Sequence, residues 1–168
     1  YVTSNPEFTI SYTGFKNYDL PSGLDQKPIA SSLANETSPS GQYAITLSEG
    51  LDNNYSLPLS NGTLQIGKAI ITVQADDQVI ECFKWPTFSA TITGFVNGDT
   101  KSSLVSGGPS FWLSGSFNLA GIYSIVPSNL KLRDNVNYDV QYKNGTLYVN
   151  PNRLTARTIT PTLICVEE

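Results

Sequence analysis

The chain has no histidine and no methionine, only two cysteines, and 14% charged residues in a length of 168. Without histidine, the Ser-His-Asp and Cys-His nucleophile systems are excluded. Two cysteines, Cys82 and Cys165, do not supply a zinc site. The phosphate-cradling glycine motifs are missing too: "SGGPS" at 106–110 lacks the lysine and the strand–loop–helix context. A net charge of −4 and a pI near 4.7 leave no basic footprint for nucleic acid. No apolar run approaches the roughly 18 residues that a membrane helix needs, and no signal-peptide pattern is present. With no starting Met and an opening at Tyr1, the chain is expected to be a segment cut from a longer array. Ser, Thr, Asn and Gly take the place of charge, which suits a turn-rich, many-stranded extracellular protein.

What the chain does have is a repeat. "NYSLPLSNGTLQIGK" (54–68) returns as "NYDVQYKNGTLYVNP" (137–151), 83 positions on. Asn-Gly between alternating apolar residues predicts a β-hairpin with a two-residue turn at Asn61-Gly62 and again at Asn144-Gly145. In that register Tyr142 faces Leu147 and Val140 faces Val149, with Tyr138 on the same face and Tyr148 on the other. In the first copy Leu59 would face Leu64, and Leu57 would face Ile66.

The repeat extends upstream. "NPEFTISYTGFKNYD" (5–19) aligns with "WPTFSATITGFVNGD" (85–99) at an offset of 80. "GQYAITL" aligns with "AGIYSIV", and "LDNNY" with "RDNVNY", where inserted residues move the offset to 83. Two modules follow, 1–67 without its opening strand and 68–150 complete, with 151–168 as linker and opening strand of a third. The links between modules are two or three residues long, too short for a flexible tether. The expected architecture is mostly β with little helix, its modules joined end to end as a semi-rigid rod. One helical turn is expected within 99–106, capped by Asp99 or Thr100.

Cys82 and Cys165 also stand 83 apart in similar surroundings, "VIECFKW" and "TLICVEE". One module length exceeds the span of a disulfide, so they are read as unpaired, strand-borne, buried thiols; bonds to partners outside the chain are the alternative. Asp76-Asp77, Asp52-Asn53-Asn54 and Asp134-Asn135 could offer oxygens to calcium, but such clusters usually bond their own backbone in turns. The acids show no paired arrangement for glycoside hydrolysis. No metal or cofactor is therefore expected. The second copy departs from the first at "PSFWLSG", where a strand would point Phe111 and Trp112 to opposite faces. With Trp85, these aromatics are the candidate ligand-binding residues; core filling or module packing is the alternative.

The pattern Tyr1-x4-Pro6, then "TGF", "NGD", "GxY", "NY" and "GTLxI", resembles the MBG repeats. These β-grasp-like modules occur in tandem in very large bacterial surface and secreted proteins, including adhesins. "LICVEE" resembles the start of another module found in such proteins, especially in Bacteroidetes. In the second copy Glu81-Cys82 stands where that family usually has Tyr-Gly, so its first turn is expected to differ. The resemblance implies a non-catalytic stalk segment on the bacterial surface that spaces and presents distal binding domains. Its partners would be neighbouring repeats and host or surface glycans and proteins. The rival reading is a glycan- or protein-binding module in the second repeat. Assembly by strand addition is a further possibility, because sheet edges pair readily.

Overall fold

The computed structural model describes residues 4–134 and 136–151 and separates into two compact units, Tyr1–Lys68 and Ala69–Glu168. Strand is the main regular structure of both, as the alternating pattern implies. The expected opening strand of a third module, within 151–168, lies outside the described residues apart from Pro151.

In the first unit, β1 (Gln26–Ser31), β2 (Gly41–Leu51) and β3 (Gly62–Ile66) form an antiparallel sheet in the order β1-β2-β3. β2 alternates half-buried and exposed along most of its length, which gives the sheet one inward and one outward face. A 3-10 turn at Pro21–Gly23 precedes β1.

The second unit is fuller. β4 (Ala69–Ala75) is the central strand of a three-stranded sheet, antiparallel to β6 (Ala90–Thr93) and parallel to β11 (Tyr138–Lys143). A second sheet has the order β5-β12-β9-β8: β5 (Gln78–Glu81), β12 (Gly145–Asn150), β9 (Gly121–Ser128) and β8 (Ser110–Leu113). A short pair joins β7 (Val105–Gly107) to β10 (Lys131–Leu132). Its core gathers Ala75, Cys82, Ile125, Leu147 and Val149, with Phe88, Phe111 and Phe117 packed against them. Ile71 and Val73 of β4 are completely buried. Each contributes about 1.5–3 kcal/mol by leaving water.

The expected helical turn is α1 (Lys101–Leu104), and Thr100 is its cap. The Thr100 hydroxyl accepts from Ser103 N at 3.2 Å, and Ser103 Oγ accepts from Thr100 N at 2.9 Å, closing a reciprocal capping box.

Two expectations are corrected. The Asn-Gly segments are not hairpin turns. β11 and β12 lie in different sheets and β3 pairs with β2, so neither Asn144-Gly145 nor Asn61-Gly62 closes a strand onto its neighbour. None of these four residues has a positive φ, which a type I′ turn demands. The reason is competition from strands distant in sequence: β4 claims β11, and β5 claims β12, both in parallel. The alternation was still read correctly for Tyr138, Leu147 and Val149, which are buried. Gly145 is needed for another reason, since a Cβ there would sit 2.6 Å from the Ala75 carbonyl oxygen.

The cysteine reading is also corrected. Cys82 is buried, as expected, but it is disulfide-bonded rather than a free thiol. The chain's other cysteine, Cys165, lies outside the described residues. Cys82 follows β5, and its N–H donates to Asn150 O at the end of β12 at 3.0 Å.

Candidate functional site

On β8, Phe111 turns inward and meets Phe88 with ring centroids 5.7 Å apart, while Trp112 turns outward and is 55% exposed. Successive strand residues point to opposite faces, so one of the two had to face solvent. Trp85 follows the turn closed by Lys84 N donating to Glu81 O, and it is 85% exposed. Its ring stands edge-on against Phe117 at 5.4 Å. Among the described residues no ring contact joins Trp85 to Phe111 or Trp112.

Trp112 lies on an outer face of which the sequence had marked only Tyr148 besides. Tyr148 of β12 is directly opposite Val79 of β5 on one side and Ile122 of β9 on the other. All three are exposed, so Val79, Tyr148 and Ile122 make an apolar row across three strands. Trp112 pairs with Val126, four residues further along β9, or about 13 Å at the rise of an extended strand. Between them lies a hydroxyl row of Ser124 and Thr146. The face can therefore offer flat apolar and aromatic area at two places with hydrogen-bonding groups between, an arrangement suited to stacking on sugar rings or apolar side chains.

The β1-β2-β3 sheet of the first unit pairs as β8-β9-β12 does in the second, with a different surface. Gln42 pairs with Gln65 where the second unit pairs Ile122 with Tyr148, and Ser31 pairs with Thr46 where it pairs Trp112 with Val126. Ser31 and Thr46 join their hydroxyls at 3.2 Å. The register of distant strands revealed this face; only the outward position of Tyr148 was visible from alternation.

The acidic clusters serve turns. Asp52 Oδ1 accepts from the backbone N–H of Asn54 and Tyr55, and Asp134 Oδ1 accepts from that of Val136. Asp76 accepts from the Ser89 hydroxyl at 2.6 Å and the Thr91 hydroxyl at 3.0 Å, and these bonds hold its carboxyl below the usual range, Ser89 having the larger effect. Asp77 Oδ1 accepts from Thr146 N at 2.6 Å. Among the described residues no group of three His, Cys, Asp or Glu side chains converges as metal ligands would. No helix of the described chain is long and apolar enough to cross a membrane.

No curated protein and no solved structure matches the chain. The sequence model of the MBG domain (YGX type) matches it twice, over residues 1–65 and 71–148, each match covering most of one unit. The protein thus belongs to the MBG domain family, YGX type, as a tandem pair of repeats.

Proposed function

We propose that the chain is a non-catalytic stalk segment of a large bacterial cell-surface or secreted adhesin, spacing and presenting distal binding domains. The supporting observation is the tandem duplication with its minimal link. β3 ends at Ile66 and β4 begins at Ala69, leaving only Gly67 and Lys68 between the repeats. Two residues give too little chain for a flexible tether, so the spacing between repeats is expected to be fixed, as in a semi-rigid rod. Stability is then the sum of module cores and nearest-neighbour terms. Small-angle scattering tests this: one narrow distribution of distances supports a spacer, and a broad distribution of independently moving modules sinks it.

A second reading is recognition of a glycan or a protein by the second repeat. It rests on the change of the outer face from Gln42, Gln65, Ser31 and Thr46 to Ile122, Tyr148, Trp112 and Val126. Trp85, whose ring stands against Phe117 and not in this row, would offer a separate aromatic surface. A screen of glycans and mucins against the whole chain tests it, with Trp112→Ala and the pair Ile122→Gln, Tyr148→Gln alongside. Binding that these substitutions abolish favours recognition; no binding by the folded protein leaves the spacer.

A further inference from the structure

The outer face of the β5-β12-β9-β8 sheet carries polar groups that the fold itself leaves unused. Ser124 and Thr146 stand opposite each other between the Tyr148 row and Trp112. Among the described residues neither of their hydroxyls makes a hydrogen bond, and the Tyr148 hydroxyl makes none either. In the first unit the polar groups in the matching places are already engaged. Ser31 and Thr46 join their hydroxyls to each other, and Gln65 Nε2, in the place of Tyr148, donates to Gly41 O and Ile66 O, both at 3.2 Å.

Charge narrows the occupant. Among the described outward residues of the four strands Glu81 alone is charged, and it lies at one end of the face, opposite Asn150. An acidic partner would find no cation there, and a basic one would find a single carboxylate at the rim. The face selects against charge of either sign.

Area narrows it further. At about 3.3 Å per residue and about 4.8 Å between strands, the four strands present a face of about 350 Å². A protein partner or a second copy of the chain needs about 800 Å² on each side for a stable contact. The occupant is therefore small, neutral, and able to use flat apolar area and free hydroxyls together. A sugar chain has that chemistry: its rings offer C–H faces to aromatic and aliphatic surface, and its rim hydroxyls both donate and accept.

Resting on the recognition reading of the second repeat, we propose that this face is a platform for a neutral, linear oligosaccharide. One ring lies over Tyr148 and Ile122 and another over Trp112, with Ser124 and Thr146 bonded to hydroxyls between them. The two stacking places are about 13 Å apart along the strands, so a chain that reaches both binds more tightly than a single ring.

The probes are cellohexaose and β-1,4-mannohexaose, titrated into the whole chain by calorimetry and tryptophan fluorescence. Glucose, mannose and a galacturonic acid hexamer serve as comparisons. The expected result is saturable binding of at least one neutral hexaose, about tenfold or more tighter than its monosaccharide. Trp112→Ala should weaken it about fivefold or more, and so should the pair Ile122→Gln, Tyr148→Gln. The pair lies on other strands, so it keeps the test open if Trp112→Ala fails to fold. Gln42→Ala and Gln65→Ala in the first repeat should leave the affinity unchanged. The platform is overturned if neither hexaose binds, if binding ignores both sets of substitutions, or if the galacturonic acid hexamer binds equally well. Self-association of the parent that Trp112→Ala abolishes would assign the face to a second copy and overturn it too. A deglycosylated mucin that binds the parent but not Trp112→Ala, with no response to the hexaoses, overturns the platform while recognition by this face stands. Silence from sugars and mucin alike removes both.

Discussion

Tyr138 donates its phenolic hydrogen to Asp99 Oδ2 at 2.7 Å, and 83 positions earlier Tyr55 does the same to Asp19 Oδ2 at 2.6 Å. In each repeat the hydroxyl also touches the turn itself, through Val96 N at 3.3 Å and Lys16 N at 3.2 Å. The pair ties the strand after the long loop to the "GF-x-N-x-D" turn, so the motif residues legible in the sequence form a tertiary clamp. Tyr138 is buried at 2% exposure, whereas Tyr55 is half-buried. Tyr138→Phe should therefore lower the stability of the second repeat by about 1–3 kcal/mol, leaving Asp99 short of a donor. Tyr55→Phe should have the smaller effect. Urea titrations of the two variants, followed by exchange in each repeat, separate the outcomes; equal losses would refute the burial argument.

The Tyr55 clamp predicts a loss of stability in alkali. The Asp19 carboxylate accepts the phenolic hydrogen bond and holds the Tyr55 hydroxyl above its ordinary pKa. The protonated phenol is thus favoured in the folded state. Its contribution is complete below pH 10 and disappears as pH rises through the folded value. Thermal melts between pH 8 and 11 should show a steeper fall for the parent than for Tyr55→Phe.

Asp76 predicts the opposite dependence. Its carboxyl is held low by the Ser89 and Thr91 hydroxyls, so its contribution is present above the ordinary carboxylate pKa and fades as the solution is acidified through the lower folded value. Asp76→Asn should flatten the stability profile of the second repeat on the acid side. An unchanged acid limb would show that these hydroxyl bonds do not favour the charged form.

Gly145 and Gly62 occupy matching places with different neighbours. Gly145→Ala would place a Cβ 2.6 Å from the Ala75 carbonyl oxygen, so it should cost about 1–3 kcal/mol. Gly62→Ala would find its nearest neighbour, Ile45 Cβ, at 3.6 Å, and should change stability by less than about 0.5 kcal/mol. Differential scanning calorimetry reads both.

On β8 the two aromatics should separate packing from surface. Phe111→Ala removes a ring packed on Phe88 and the core, with a cost of about 2–4 kcal/mol. Trp112→Ala should stay within about 1 kcal/mol, because its ring faces outward. A large loss at Trp112 in a denaturation curve would mean that the outer face is covered.

Much of this was legible from local pattern. Alternation placed Tyr138, Leu147 and Val149 inward and Tyr148 outward, and Thr100 marked the start of α1. The "Asn-Gly" signal misled because a turn propensity of two residues competes against whole ladders. β4 and β5 offered β11 and β12 parallel partners from some 70 residues away, and those ladders prevailed. The Val79–Tyr148–Ile122 row stayed hidden for the same cause, since a row across strands exists only once the pairing is known.

The sequence by itself determined the duplication, the side of each strand that is apolar, and the absence of histidine chemistry, because these follow from residue identity and the two-residue period of a strand. Only the tertiary structure decided which strands pair, which aromatics remain outside, and that Cys82 is bonded. Those outcomes depend on contacts between residues far apart in the chain, and backbone hydrogen bonding carries no label of its partner.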